Sequence, residues 1–594
     1  MTDPETLRML YGTTIQPAEA RRFSVGRLSF EMLGGDLRTI HFDGVEVVRG
    51  IQYLVRDRDW GTLSPEIRDL HVEDAGGAST IVYAADCMGP DGDRLSYRVR
   101  IHATERSLDF TVDAEAMDDV TTNRLGFCVL HPAGLAGAPL QIEHGDGSLN
   151  DGCFPILIDP WQPFTDIRTL THRQGGLTVS CQLTGDSFEM EDQRNWSDAS
   201  FKTYVRPLAK PWPYVVPAGT RDRQTVRLEI AGDAKRSDAS ASDTIVIEMG
   251  EPVGTMPRIG LVITPEHAGT MQRADLDHAG VQDLLLSFEA RAGHGLAEMR
   301  TLALAVEGTP QRKTLECVIA ATGDLDAELG AVAEWVADVG LKLDAIAVYP
   351  APDLQSTPPG SVWPDCPPLA EIYAAARRAF PGLPLGGGMY SYFTELNRKR
   401  PPVDQLDFVT HATCPIVHAA DDLSVMQSLD AVPHILRSAR AIIGDRPYRL
   451  GPVTIGMRHN PYGSRTMPNA SRDRIPMALA DPRQDGRFAA AWTIGYAAMT
   501  EEAALDTVIL GALTGPLGLI GDEGARPVFA TVAALAELAG QARLACRSSS
   551  PGKAVALATG GIAIVANLTA ETQRVRLASE AITLGPFEIA RVSF

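Results

Sequence analysis

The sequence predicts a multidomain protein, β in its first part and α/β in its centre: an N-terminal antiparallel β-sandwich, a central (β/α)8 barrel of the TIM type and a small C-terminal β-module. Three observations predict it. Residues 20–230 form short segments of alternating apolar and polar side chains, residues from about 257 become buried strands separated by amphipathic helices, and residues after about 542 return to alternation. Boundaries are expected at 1–250, 251–541 and 542–594. At 594 residues the chain exceeds what a single core usually organises.

In the first region the segments RLSFEML, LRTIHF, STIVYAAD, LSYRVRIHA and LDFTVDAEA read as half-buried strands. Phe110, Val112 and Ala114 share one face, and Asp109, Thr111 and Asp113 the other. The stretch AGDAKRSDASASD, 231–243, has no periodicity and reads as a linker. Eight barrel strands are expected at 258–264, 283–290, 314–321, 345–351, 383–390, 406–412, 451–457 and 506–513. Between them Leu329, Val332, Val336 and Val339 recur at helical spacing. So do Leu369, Ile372, Tyr373, Ala376 and Phe380, then Val425, Leu429, Val432, Leu436 and Ala439. Eight units in this length fit a closed barrel better than a doubly wound sheet, though the first connection is short enough that an incomplete barrel stays open as an alternative. In the last region Gly560 and Gly561 mark a hairpin turn between two apolar strands.

Composition narrows the partners. Hydrophobic residues at 44 % and charged residues at 22 % are ordinary for a globular protein, and no apolar run is long enough for a membrane span. A net charge of −21 repels nucleic acid and anionic lipid, so neither is an expected partner. The eight cysteines lack metal or disulfide spacing and read as reduced thiols. The amino terminus shows no signal-peptide pattern. A cytoplasmic location is therefore expected, with no metal and no cofactor. Oligomeric state is left open, a homo-oligomer included.

Two places read as functional. The block SFEMEDQRNWSDASFKTY, 187–204, carries Glu191, Asp192, Arg194 and Asn195 beside Trp196, a mixture of hydrogen-bonding groups and a flat apolar face that suits a sugar-derived ligand. An exposed hairpin laced with ion pairs is the alternative. The second place is the barrel rim, because chemistry in such folds gathers at the carboxyl ends of the strands. There Glu395 is the first candidate for proton transfer, with apolar neighbours that raise a carboxyl pKa; Glu289 and His411 follow. Each has a plain structural alternative: a helix-start glutamate, a glutamate paired with Arg291, and a histidine satisfied by backbone carbonyls. Arg458 is placed to hold a carboxylate or an oxyanion unless an ion pair occupies it. Tyr349, Tyr390, Asn397, His459 and Asn460 complete the rim. His418 with Asp421 and Asp422 has the look of a metal site, but capping of the following helix accounts for the aspartates.

The phrases RGIQYLVRDRDWGT, EMEDQRNWSDASFKTY, HATCPIVHAADDLSVMQSLDAVPHILRSARA and RLGPVTIGMRHNPYG resemble those of the bacterial D-apionate lactonase family over nearly the whole chain. The resemblance implies hydrolysis of the five-membered lactone of the branched sugar acid D-apionate, in apiose catabolism. It carries no residue roles. Opening a lactone needs a base to activate water, donors for the carbonyl oxygen as it gains charge, and an acid for the departing ring oxygen. Two other readings stand beside it: a glycosidase using Glu289 and Glu395 as paired carboxylates, and a non-catalytic carbohydrate-binding protein whose functional surface is the 187–204 block.

Overall fold

The structure is a computed structural model that describes residues 2–234 and 244–594. Of the expected linker, residues 231 and 232 end the strand Arg221–Gly232, and 235–243 lie outside the described residues. The chain folds as two compact units. One comprises Ala18–Arg194 and Ala199–Asp238; the other comprises Met1–Pro17, Asn195–Asp198 and Ala239–Phe594.

The first unit is built on one antiparallel sheet of 16 strands among the described residues. Its core shows that the sheet curls over itself as a sandwich. Tyr53, from the strand Val45–Arg56, packs its ring 5.1 Å from that of Tyr97 on Arg94–Ala103, a strand far removed in the hydrogen-bonded order. The alternation read at 109–114 is realised in Ser107–Ala116, where Leu108, Phe110, Val112 and Ala114 are buried.

In the second unit eight parallel strands form the barrel: β1 (Arg258–Ile263), β2 (Asp283–Glu289), β3 (Arg312–Ile319), β4 (Ala345–Pro350), β5 (Leu385–Tyr392), β6 (Phe408–Thr413), β7 (Tyr448–Val453) and β8 (Thr507–Thr514). Pairing of β1 with β8, Arg258 opposite Thr507, closes the ring, so the barrel is complete. Two short helices, Pro265–Ala268 and Arg273–Ala279, fill the brief first connection.

β7 starts three residues before its expected position. The polar run before Gly451 argues against a strand by periodicity, but Arg449 is neutralised inside the barrel: its Nε lies 3.1 Å from Asp506 and its guanidinium 3.8 Å from the Phe408 ring. Gly451, at φ +135°, sits where a Cβ would come 2.7 Å from the carbonyl oxygen of Ile509. This shift moves Thr454 to Met457 out of the strand and leaves Arg458 on a long loop.

The lumen is nearly filled. Glu316, Tyr349, Phe408, Thr410 and Arg449 are among the residues that line an internal cavity of about 20 Å³, room for a single water. A ligand therefore meets the barrel only at its rim.

The C-terminal sheet has seven strands among the described residues, and one comes from earlier in the chain. Thr244–Thr255 pairs in parallel with Gln573–Leu577 and antiparallel with Ala542–Ser548, burying Ile245 and Ile247 in that sheet's core. The strand crosses position 250, where a domain boundary is expected. The Gly560-Gly561 turn is present, with Thr559 opposite Ile562. No helix of the described residues is long and apolar enough to cross a membrane.

Candidate active site

The centre of the barrel mouth is organised by an ion pair. Arg458 reaches back from its loop to Glu316 on β3, with Nη1 at 2.8 Å and Nη2 at 3.0 Å from the two carboxylate oxygens. Its Nη2 also donates to the Tyr390 carbonyl, and the guanidinium lies flat on the Tyr390 ring at 3.8 Å. Tyr349 and His459 meet the same ring edge-on, at 5.8 Å each. Arg458 is thus committed to a carboxylate of the chain itself, a glutamate from inside the barrel, and is not the clamp for a substrate carboxylate. The Tyr349 hydroxyl and Arg458 Nε are buried with no hydrogen-bond partner among the described residues, so this floor retains hydrogen-bonding capacity.

Above the floor, Glu289 ends β2 with its side chain 18 % exposed and its Oε1 2.8 Å from Arg291 Nε, the pairing foreseen as its alternative. Its backbone N–H donates to His294 Nδ1 at 3.0 Å, and the other nitrogen of that ring donates to Glu266 at 2.8 Å. His459 Nε2 donates to the Leu354 carbonyl at 3.2 Å, which leaves the lone pair on Nδ1. Burial pulls the His459 pKa down to about 4; the Leu354 carbonyl raises it, Arg291 and Arg458 lower it further, and the Glu289 charge opposes them. The ring is neutral at pH 7.

The other candidates are placed elsewhere. Glu395 is fully buried on the helix Phe393–Lys399 and holds the loop after β4: Oε1 accepts from Ser356 Oγ at 2.7 Å, Oε2 from the Thr357 N–H at 3.2 Å and Oγ1 at 3.3 Å, with Arg398 at 3.6 Å. Saturated with donors and closed to solvent, it is a loop anchor, and it cannot serve as the second carboxylate of a glycosidase pair with Glu289. Glu395→Gln, which replaces acceptor capacity by an amide donor facing those hydroxyls, is expected to cost about 1–3 kcal/mol in chemical unfolding. His411 also departs from expectation. Phe408 and Thr410 take the lumen side of β6, so strand alternation turns His411 outward, against Phe393 and 2.6 Å from the Tyr448 hydroxyl. Its Nδ1 bonds to the Ala412 carbonyl, and burial lowers its pKa to about 4. It belongs to the packing between barrel and helices.

Asn460 closes its own turn, with Oδ1 accepting from the Tyr462 N–H and Nδ2 donating to the Arg465 carbonyl. Within the 187–204 block the charges split. Glu191 pairs with Lys202, its cross-strand neighbour, and Asp192 with Arg194 at 2.6 Å, all buried. Arg194 further donates to the Pro155 carbonyl and lies 4.3 Å from the Phe201 ring. These four are interior ion pairs, not ligand groups. Asn195, Trp196 and Asp198 instead belong to the barrel unit. Thr394 donates to the Asn195 carbonyl at 2.7 Å and Asn397 Nδ2 to its Oδ1 at 2.9 Å. Trp196 lies under the Arg398 guanidinium at 5.0 Å and edge-on to His418 at 5.5 Å.

The pairing that sequence reasoning missed is His418 with Asp198, Nδ1 to Oδ2 at 2.6 Å. Asp421 does cap the following helix, accepting from the Ser424 N–H at 3.0 Å, and Asp422 pairs with Arg474 and Arg483. Those roles account for the two aspartates beside the histidine, whose own partner lies 220 residues earlier in the chain. No group of three or more His, Cys, Asp or Glu side chains among the described residues is arranged to hold a metal ion.

Comparison with known proteins places this architecture. Family models for D-apionate lactonase match along the chain: its N-terminal domain at residues 8–233, its TIM barrel domain at 259–540 and its C-terminal immunoglobulin-like domain at 551–592. The D-apionate lactonase of Brucella anthropi is 47 % identical over 597 residues, covering 98 % of each chain. Among solved structures, a β-arabinopyranosidase aligns with 97 % of this chain and 96 % of its own at 11 % identity and a TM-score of 0.31. A glycoside hydrolase family 97 enzyme from Pseudoalteromonas sp. strain K8 gives the same coverage at 8 % identity and 0.30. Scores this low carry no inference about chemistry. The full-length identity and the three matched domains do, and the chain belongs to the D-apionate lactonase family.

Proposed function

We propose that this protein hydrolyses a small sugar lactone, the lactone of D-apionate, to the open acid. The observation that carries the reading is the full-length identity to a lactonase of that name. The rim is compatible with the substrate. A sugar lactone is neutral, rich in hydroxyl donors and closed by one ester bond; Glu289 and the lone pair of His459 Nδ1 accept from hydroxyls, and Arg291, half exposed, donates to a carbonyl oxygen gaining charge. The packed floor of Arg458, Glu316, Tyr349 and Tyr390 keeps the ligand at this level. We place the reaction in the cytoplasm, as a step of apiose catabolism, and the net charge of −21 argues against nucleic acid as a partner.

The test is a panel of aldonolactones and nitrophenyl glycosides offered to the purified protein while proton and nitrophenol release are followed. Proton release with the five-membered lactone, and no nitrophenol from any glycoside, is the expected result. Nitrophenol release, or silence across the lactones, would refute the assignment.

A further inference from the structure

We infer that Glu289 is the general base that activates water for lactone opening, acting through Oε2; the inference rests on the lactonase reading above. Glu289 ends β2 at the mouth of the barrel, with 18 % of its side chain exposed. Its ion pair with Arg291 occupies one oxygen only, since Nε at 2.8 Å and Nη2 at 2.7 Å both meet Oε1. Oε2 makes no hydrogen bond among the described residues, which leaves a lone pair for the proton of a water molecule. Arg291, half exposed, keeps Nη1 for a substrate oxygen beside it.

The pair stands at the Tyr390 cluster, where the substrate is placed. The charges of Glu289 and Arg291 both act on His459, whose ring meets that of Tyr390 at 5.8 Å. Burial pushes the Tyr390 hydroxyl up to about 12 against the Arg458 charge, and the charges of Glu316 and Glu289 add to the rise. Other carboxylates near this mouth serve the chain's own groups. Glu316 gives both oxygens to Arg458, Glu395 is enclosed by its donors, Asp353 after β4 holds Lys399 at 2.7 Å, and Glu266 holds His294.

The end of β2 is built to fix this side chain. Glu289 pairs in register with Val318 of β3. Its N–H donates to His294 Nδ1 at 3.0 Å, and its carbonyl accepts from the His294 N–H at 3.3 Å. Gly293, at φ +86°, lets the turn come back on itself, and the His294 ring is seated edge-on against Phe288 at 5.7 Å. Both backbone groups and one carboxylate oxygen are therefore held, while the second oxygen stays open.

The step balances without any further reagent. Oε2 removes a proton from water as the water oxygen bonds to the lactone carbonyl carbon, and the π pair of the carbonyl moves to its oxygen. The negative charge passes from Glu289 to that oxygen, beside Arg291, so the net charge of the site is unchanged. His459 in the same role would become a cation, where burial and the Arg291 and Arg458 charges already hold its pKa down to about 4. As the carbonyl reforms, the ring C–O bond breaks and the departing alkoxide takes the proton from the Glu289 carboxyl. Lactone and water become one hydroxy acid, and Glu289 is a carboxylate again.

The experiment compares the parent with Glu289→Gln and Glu289→Ala on the lactone, measuring kcat, KM and melting temperature, with formate added to the alanine variant. The glutamine keeps an oxygen that accepts hydrogen bonds but takes no proton, which separates base chemistry from hydroxyl binding. Expected are kcat losses of about 10²–10⁴-fold in both variants at nearly constant KM and melting temperature, with partial recovery of Glu289→Ala by formate. A folded Glu289→Gln whose kcat stays within about threefold of the parent, or whose loss lies in KM alone, overturns the base assignment. So does a loss that tracks lowered melting temperature in both variants and does not respond to formate. A parent inactive on every lactone overturns the functional reading and this inference with it, whereas an active parent with an unaffected Glu289→Gln removes only the inference.

Discussion

Glu316→Met is expected to destabilise the barrel by about 3–5 kcal/mol, because it strands the Arg458 guanidinium inside the protein without its carboxylate. Glu316 is 2 % and Arg458 8 % exposed, and among the described residues the guanidinium is otherwise met by the Tyr390 ring and carbonyl. With so little of the side chain exposed, water replaces the lost partner poorly. Arg458→Met should cost a similar amount by leaving the carboxylate unpaired. The double variant should lose far less than the sum of the two, since two methionines fill the space and neither charge remains to be compensated. Chemical unfolding of the four proteins closes the cycle. Single-variant losses below about 1 kcal/mol would show that the pair is reached by solvent and does not hold the floor.

The second large effect is acid lability of the β-sandwich. His131 and His172 are buried in its core, with ring centroids 6.2 Å apart, and three of their four nitrogens lack a hydrogen-bond partner among the described residues. Burial pulls the His131 pKa down to about 3, aided by the charge of His172, and burial alone pulls His172 down to about 4. In the unfolded chain both titrate near 6.5. Between these values the unfolded state binds protons that the folded state refuses, so stability is complete above about pH 6.5 and falls as the pH drops toward 4. For His172 alone the loss by pH 4 is about 3 kcal/mol. Unfolding midpoints measured at pH 7, 5.5 and 4.5 should decline, and His172→Leu should flatten the decline. An unchanged slope in that variant would assign the acid sensitivity to carboxylates instead.

Much of the architecture is legible in the chain because periodicity reports burial directly. The alternation at 107–116 and the three-and-four spacing at 329–339 each say which face meets the core, whatever that core turns out to be. Strand ends are less legible. A shift of three residues in β7 decided that Arg458 would lie on a loop and turn back into the lumen, and the shift was hidden because Arg449 looks too polar for a barrel strand until Asp506 is placed beside it. At β6 one residue of parity separates a rim base from a packed histidine, and Thr410 rather than His411 took the inward side. Charge pattern misled in a different way. Glu191, Asp192, Arg194 and Lys202 read as a ligand surface or as an exposed hairpin laced with ion pairs, because nothing local reveals that the pairs are closed off inside the protein.

By itself the sequence determined the three kinds of domain, the run of eight strand–helix units and the family likeness, since these depend on local periodicity and on long matching phrases; closure of the ring, through the pairing of β1 with β8, came from the structure. Only the tertiary structure decided which polar groups face solvent and which face one another. Asp198 and His418 are 220 positions apart, and the 2.6 Å between them exists only when the Asp198 turn is clamped beside the sixth barrel strand. A side chain's chemistry follows from its partners and its access to water, and both are properties of the folded arrangement rather than of the chain order.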